Sequence, residues 1–341
     1  MKTTLTNTYT PAFLLGIDVG KKELFCHLSS NTETHSQKFD NNDEGIQKLI
    51  SWLKSNSDLA HLSVCLEQTG PYGKSVSTAL FNAKVEALHL VNPSCIKAYG
   101  QQKLRRNKSD TADAKLITDY LRSEHHSLRK WSPPPPDREQ ITEFSRYAQS
   151  LTEDNAQLKT RIETTFNTNV LRSLQRRIKL QEKEIAAIRK RINTLISKNS
   201  TLLAHKKLLS TIPGLGEITQ QIVIAEIPDL EHFSDARQLA AWVGLTPRHF
   251  ESGTSGRTRT PITKVGSTSL RSALYLPAMT AKTHNPLLKE FADRLKENGK
   301  KPKEIIVAVM RKLVHQIYGI LKSGKPFNPE KRGFNGSTPS V

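Results

Sequence analysis

Cysteine is scarce. The chain has three in 341 residues, Cys26, Cys65 and Cys95, and they form neither a C-x-x-C pair nor a zinc-ligand spacing. Cys26 and Cys65 lie in strand-like runs, where a small apolar residue is expected to be buried. Long apolar runs are lacking as well. None approaches the ~18 residues that a bilayer span needs, and the stretch MKTTLTNTYTPAF holds no signal-peptide core. The expectation is a soluble cytoplasmic protein without a membrane partner. Between Arg138 and His205 there is no glycine and no proline, which excludes tight turns of the usual chemistry there.

Negative charge is the minority. Lys and Arg number 51 against 32 Asp and Glu, a net charge of +19. A surface that positive attracts phosphate backbones, and counterion release makes such binding strong and salt-sensitive. An anionic membrane would call for a basic amphipathic helix or a lipid anchor, and neither stands out. Nucleic acid is the expected partner.

Residues 13 to 131 alternate between strand and helix patterns. FLLGIDVG is a short strand closing on a glycine, and ELFCHLSS and THSQKFDN resemble the arms of a hairpin. DEGIQKLISWLKS places Ile46, Leu49, Ile50 and Leu53 at helical spacing. HLSVCLEQTG is a strand ending at Glu67, a helix opens at Pro71, VEALHLVNP is another strand, and a helix runs from about Lys103 to Arg122. This order predicts an α/β domain with a mixed sheet over 1–131. SPPPP at 132–136 marks a linker. Ile185, Ile188, Ile192 and Leu195 form a heptad seam, with Ile178 one heptad earlier, so 132–205 is expected to form coiled-coil or hairpin helices. A mainly helical C-terminal domain is expected over 206–329, ahead of a disordered tail at 330–341. Within it, LLSTIPGLGEITQQIVIAEI has the pattern of a helix-hairpin-helix, whose glycine turn can offer N–H groups to phosphate. A helix over 234–243 capped by Ser234 is expected next. RHFESGTSGRTRTPITKVGS is a basic Gly/Ser/Thr loop, and helices are expected at 268–281 and 304–322.

The acids are placed selectively. Asp18 ends the first strand and Glu67 a later one, and neighbouring central strands bring such ends together. Asp110 and Asp113 are spaced i, i+3, so they share one helix face. Four converging carboxylates need a cation, and hard oxygen ligands suit Mg²⁺ or Mn²⁺. The bland alternatives are a strand-end turn at Asp18 and a helix N-cap at Asp110, with Ser109 as its rival. Directly before these aspartates, Lys103, Arg105, Arg106 and Lys108 form a basic run suited to a polyanion.

GIDVGKKEL, CLEQTGPYG and RNKSDTADA resemble the DEDD tetrad domain of the insertion-sequence 110 transposases. That domain is itself similar to Holliday-junction resolvases of the ribonuclease H fold. IPGLGEITQQIVIAEI, QLAAWVGLTPRHFESGTSGRTRTPITKVGSTSLRSALYLPAM and LKSGKPF resemble the same family's C-terminal transposase domain. The resemblance implies a DNA recombinase, nucleoid-associated, guided by an element-encoded bridge RNA that pairs with donor and target DNA. It implies Asp18, Glu67, Asp110 and Asp113 as Mg²⁺ ligands and Ser252 as nucleophile. Residue reasoning alone leaves Ser252 in competition with Thr254, Ser255, Thr258 and Thr260. Arg257, Arg259, Lys264 and Arg271 could hold the phosphate near such a serine. A homodimer or homotetramer is expected, with the Ile178–Leu195 seam as association surface. The rivals are a metal-dependent junction nuclease with Ser252 structural, an actin-fold ATPase suggested by GIDVG, and a non-catalytic scaffold. The ATPase would need a second phosphate loop, and no such pair of motifs follows residue 130.

Overall fold

A computed structural model of the chain describes residues 11–67, 70–103, 110–248 and 261–330. It divides into two compact units, Met1–Pro133 and Pro134–Val341. The boundary falls in the proline run, where neither helix nor ladder can continue.

In the first unit, β1 (Phe13–Val19) is followed by a hairpin of β2 (Glu23–Ser29) and β3 (Thr34–Asp40). Helix α1 (Asp43–Asn56) leads to β4 (Leu62–Glu67), and α2 (Lys74–Asn82) leads to β5 (Ala87–Val91). The strands lie in the order β3-β2-β1-β4-β5. β1 runs antiparallel to β2 and parallel to β4, and β5 is parallel to β4. Parallel neighbours need a crossover, which α1 and α2 supply. The expected mixed α/β sheet and its hairpin are present. The helix expected to open at Pro71 starts later, at Lys74, after a short 3₁₀ turn over Gly70–Gly73.

Strand alternation gives β1 two different faces. Leu15 and Ile17 pack with Leu49 and Leu53 of α1 and with Val76 and Leu80 of α2. Leu14 packs on the other side, with Ile96 of α3 (Pro93–Gln102) and Ile117 and Leu121 of α4 (Asp110–Glu124). Of the helix expected from about Lys103 to Arg122, α4 is present from Asp110, Lys103 instead ends α3, and 104–109 lie outside the described residues. Asn92 caps α3 by accepting from Ser94 N, with Pro93 in the first turn, an ordinary start signal for a helix.

Gly16 lies between Leu14 and Asp18 on the face that α4 covers. The helix comes so close that a Cβ on Gly16 would overlap the Ala114 carbonyl and the Thr118 hydroxyl. Thr118 is fully buried, and its hydroxyl is shared between His27 O of β2 at 2.9 Å and Ala114 O at 3.1 Å. One turn further on, Arg122 Nη2 donates to Ser29 Oγ at 2.6 Å. α4 is therefore seated on β1 and pinned to β2.

The second unit is helical. α5 (Pro136–Glu163) and α6 (Thr168–Lys198) form a hairpin. Leu158 packs with Leu174 and Ile178 near its closed end. Ile141, Ala148 and Leu151 share a core with Ile188, Ile192 and Ile196, and Ile185 and Leu195 pack against it. The heptad seam is covered by α5 of the same chain and by the helices behind it, so the seam is not a free association surface. Those helices are α7 (Ser200–Leu209), α8 (Glu217–Glu226), α9 (Ala236–Val243), α10 (Thr268–Ala273), α11 (Tyr275–His284), α12 (Pro286–Glu297) and α13 (Pro302–Ser323). Asp235, not Ser234, caps α9, accepting from Arg237 N and Gln238 N. The helix expected at 268–281 is broken at Leu274, and α12, capped by Asn285, was not expected.

The α7–α8 turn has a reason other than phosphate. Gly214 has φ +93°, and a Cβ there would sit 2.7 Å from Ala281 N of α11. Leu215 N, which a helix-hairpin-helix would offer outward, donates to Ile212 O at 3.1 Å.

Two substitutions test this packing. Gly16→Val is expected to lose roughly 1–3 kcal/mol through overpacking, read as a lower denaturant midpoint; an unchanged midpoint would contradict the close seating of α4. Gly214→Ala is expected to lose a similar amount, about 1–3 kcal/mol, from its left-handed backbone and the Ala281 clash. Retained stability with weakened DNA binding would instead make the turn a phosphate contact.

Candidate metal centre and serine loop

The seating of α4 determines where its first turn falls. Asp18 follows Gly16 by two residues and so lies on the same face of β1, near its end. Asp110 and Asp113 occupy the first turn of α4. One carboxylate oxygen from each of Asp18, Asp110 and Asp113 lies within 4.8 Å of the others. Asp18 and Asp113 are half-buried and Asp110 is exposed. Carboxylates about 5 Å apart repel by roughly 3 kcal/mol per pair at an effective dielectric near 20. The helix N-terminus offsets part of that, since acids in a first turn gain about 0.3–1 kcal/mol from the macrodipole. A divalent cation would reverse the sign outright. Among the described residues the converging donors are carboxylate oxygens, the kind a hard divalent ion takes.

Glu67 is placed differently from the other three. It ends β4, one position beyond Leu66, which pairs with Ile17 of β1. That puts Glu67 at the same sheet edge as Asp18, yet its carboxylate is not one of the three that converge. Three of the four expected ligands are brought together, and the fourth stands at the neighbouring strand end.

Of the basic run, Arg105, Arg106 and Lys108 lie outside the described residues. Lys103 caps the end of α3, its ammonium 5.6 Å from the Tyr99 ring centroid. Together with Lys115 and Arg122 it borders a groove of about 660 Å³ beside α4. Lys115 and Arg122 share one face of α4, and Asp119, which lines the same groove, pairs with Arg122 Nη1 at 3.3 Å. His27, beneath them on β2, has its imidazole held below the ordinary value by burial first and then by Lys115.

Ser252, Arg257 and Arg259 lie outside the described residues, as do Thr254, Ser255, Thr258 and Thr260. The neck of their loop is described and well braced. Arg248 N donates to Pro261 O at 2.8 Å and Thr263 N to Thr246 O at 2.9 Å, with an antiparallel bridge between Pro247 and Ile262. Lys264 is exposed, as a phosphate contact should be, with φ +55°. Arg271, the other cation expected near phosphate, is partly exposed and bonded to the fold. Its Nη1 donates to Val243 O at 2.9 Å, satisfying the end of α9. Below the neck, Arg146 grips Glu226 through Nε–Oε1 at 2.9 Å and Nη2–Oε2 at 3.3 Å. Ser267, which caps α10, reaches the same carboxylate at 3.5 Å. The Glu226 bond raises the Arg146 guanidinium pKa further. This brace was invisible in the sequence, because its members stand 80 positions apart.

Comparison with known proteins agrees with both segments. Residues 15–169 match a DEDD-type IS110 transposase model, and residues 206–293 match the model of the transposase IS116/IS110/IS902 family. The chain is 29% identical over 317 residues to the pilin gene-inverting protein of Moraxella bovis, covering 92% of this chain and 97% of that protein. The pilin gene-inverting protein of Moraxella lacunata matches at the same identity and coverage, 29% over 317 residues. The transposase for insertion sequence element IS1111A of Coxiella burnetii is 36% identical over 76 residues, 22% of this chain and 21% of that one. Among solved structures, T. thermophilus RuvC in complex with Holliday junction substrate matches at 13% identity with a TM-score of 0.26, covering 35% of this chain and 99% of that one. The acidic cluster lies inside the first matched segment and the braced loop neck inside the second, and the chain belongs to the IS116/IS110/IS902 family of transposases, enzymes of DNA recombination.

Proposed function

We propose that this transposase cuts and rejoins DNA strands of an insertion sequence through Ser252, assisted by Mg²⁺, with Mn²⁺ as substitute, held by Asp18, Glu67, Asp110 and Asp113. The observation that carries the metal half is the convergence of three carboxylates where β1 ends and α4 begins. A bound divalent ion would supply charge stabilisation at the phosphate and lower the pKa of a coordinated hydroxyl. The protein's own part is to hold the acids in place: Gly16 and Thr118 seat the helix, and α4 presents Asp110 and Asp113 on one face.

The serine half rests on the family and on the chemistry of the loop. Ser252 Oγ attacks phosphorus and loses its proton, the new Oγ–P bond forms, and the bond from phosphorus to one sugar oxygen breaks. The leaving sugar takes up a proton as a hydroxyl. The phosphoserine ester conserves the bond energy, so a hydroxyl from a new DNA partner can reverse the step without ATP. Lys264, and Arg257 and Arg259 beside the serine, would neutralise the phosphate. The bridge RNA would select donor and target by base pairing, and a homodimer or homotetramer would supply the active sites that two duplexes need. With the heptad seam covered within the chain, association would use another surface.

Two outcomes are expected. Asp113→Asn should abolish strand cleavage, because one of three converging carboxylates is gone; cleavage at the wild-type rate would remove the cluster from the mechanism. On a denaturing gel, wild type and Ser255→Ala should form a covalent protein–DNA adduct that Ser252→Ala lacks. Recombination without any adduct would make this a metal-dependent junction nuclease with a structural serine.

A further inference from the structure

The apolar seam of α6 accounts for half of that helix. Its buried residues Leu174, Ile178, Ile188, Ile192 and Ile196 fall on one side. On the opposite side stand Arg172, Arg176, Lys179, Lys183 and Lys190, all exposed. At 100° per residue these five occupy roughly 60° of arc, and the line from first to last is about 27 Å long. The gap before Lys190 holds Ala186 and Ala187, small and exposed, so a bulky partner could approach the helix there. Among the described residues none of the five sits in an ion pair. The nearby acid Glu182 is turned to Lys159 of α5, 3.3 Å away. α6 as a whole carries nine basic residues and two acidic ones, so the line is not neutralised by its own helix.

We propose that this cationic line is a docking rail for the backbone of duplex DNA away from the bond that is cut. The enzyme's established substrate supplies the partner, since about 27 Å of duplex axis presents about sixteen phosphate charges. A second copy of the rail would be repelled by it, which argues against self-association through this face. No aromatic or amide side chain stands on the line between Arg172 and Lys190, so it holds backbone and reads no sequence. The inference depends on action upon DNA, and on neither the metal cluster nor Ser252.

The test is a salt titration on the full chain with a mixed-sequence duplex of about 40 base pairs, read by fluorescence anisotropy. The variant combines Arg172→Gln, Arg176→Gln, Lys183→Gln and Lys190→Gln. A control combines Lys289→Gln, Lys296→Gln, Lys300→Gln and Lys303→Gln, exposed residues of the same unit, and removes the same charge. The rail variant should flatten the slope of log affinity against log salt by about 3 to 4, near 0.9 per lost phosphate contact. The control should flatten it by less than half as much. Equal slopes in the two variants would overturn the proposal. So would a flattened slope for a structured RNA with the duplex slope unchanged, or a shift in oligomeric mass by light scattering with the duplex slope unchanged. Should the fourfold variant misfold, Arg176→Gln and Lys183→Gln singly should each reduce the slope by about 1; no reduction in either would equally overturn it.

Discussion

A glycine opposite a threonine, on two elements about a hundred residues apart in sequence, fixes the geometry of the first unit. Gly16 has no side chain, so α4 can rest directly on β1, and the Thr118 hydroxyl reaches the His27 carbonyl beneath it. Any larger residue at 16 would lift the helix. Because strand side chains alternate and helix side chains recur every three to four positions, that single seating places Asp18 opposite the first turn of α4. The crossovers α1 and α2 and the five-stranded sheet hold β1 central, and so prevent the strand from yielding instead. Close packing at Gly16 and crowding of charge two residues later are one arrangement: the first stabilises the fold, and the second could hold a cation.

The second unit solves a different problem, which is how to hold a polar, glycine-rich loop. Its core runs through α5, α6 and the C-terminal helices, and the neck is stapled on that core by the Pro247–Ile262 bridge and by Arg271. Arg146 and Glu226 add a bidentate pair, with the carboxylate almost wholly buried. Such a pair is costly to break from one side, since the remaining charge is left unpaired. The described neck, up to Arg248 and from Pro261, is thereby anchored on rigid elements at both ends.

Much of this could be read from the chain alone, where local pattern was the cause. The strands, the hairpin, α1 and the proline boundary follow from periodicity and turn chemistry. The trio Asp18, Asp110 and Asp113 was legible because strand ends and i, i+3 spacing are sequence features. What escaped depends on contacts across the fold. Gly16 reads as one more residue of an apolar strand until α4 is above it. The bond from Arg271 to the Val243 carbonyl has no local signal, its members lying 28 positions apart. The glycine turn at 214 reads as a phosphate loop until Ala281 fills the space behind it. The heptad seam was a true signal for a partner helix, and the partner is α5 of the same chain. α3 and α12 were missed although Asn92-Pro93 and Asn285-Pro286 are ordinary helix starts.

The crowding of Asp18, Asp110 and Asp113 makes this the place where a divalent cation could bind. A crystal of the full chain grown or soaked with Mn²⁺ and measured for its anomalous signal tests it most directly. The account predicts a peak bounded by these three carboxylates at about 2.0–2.6 Å, with Glu67 drawn toward it or joined through water, and no such peak in Asp18→Asn crystals. A Mn²⁺ peak elsewhere with this site empty at saturating metal would contradict it.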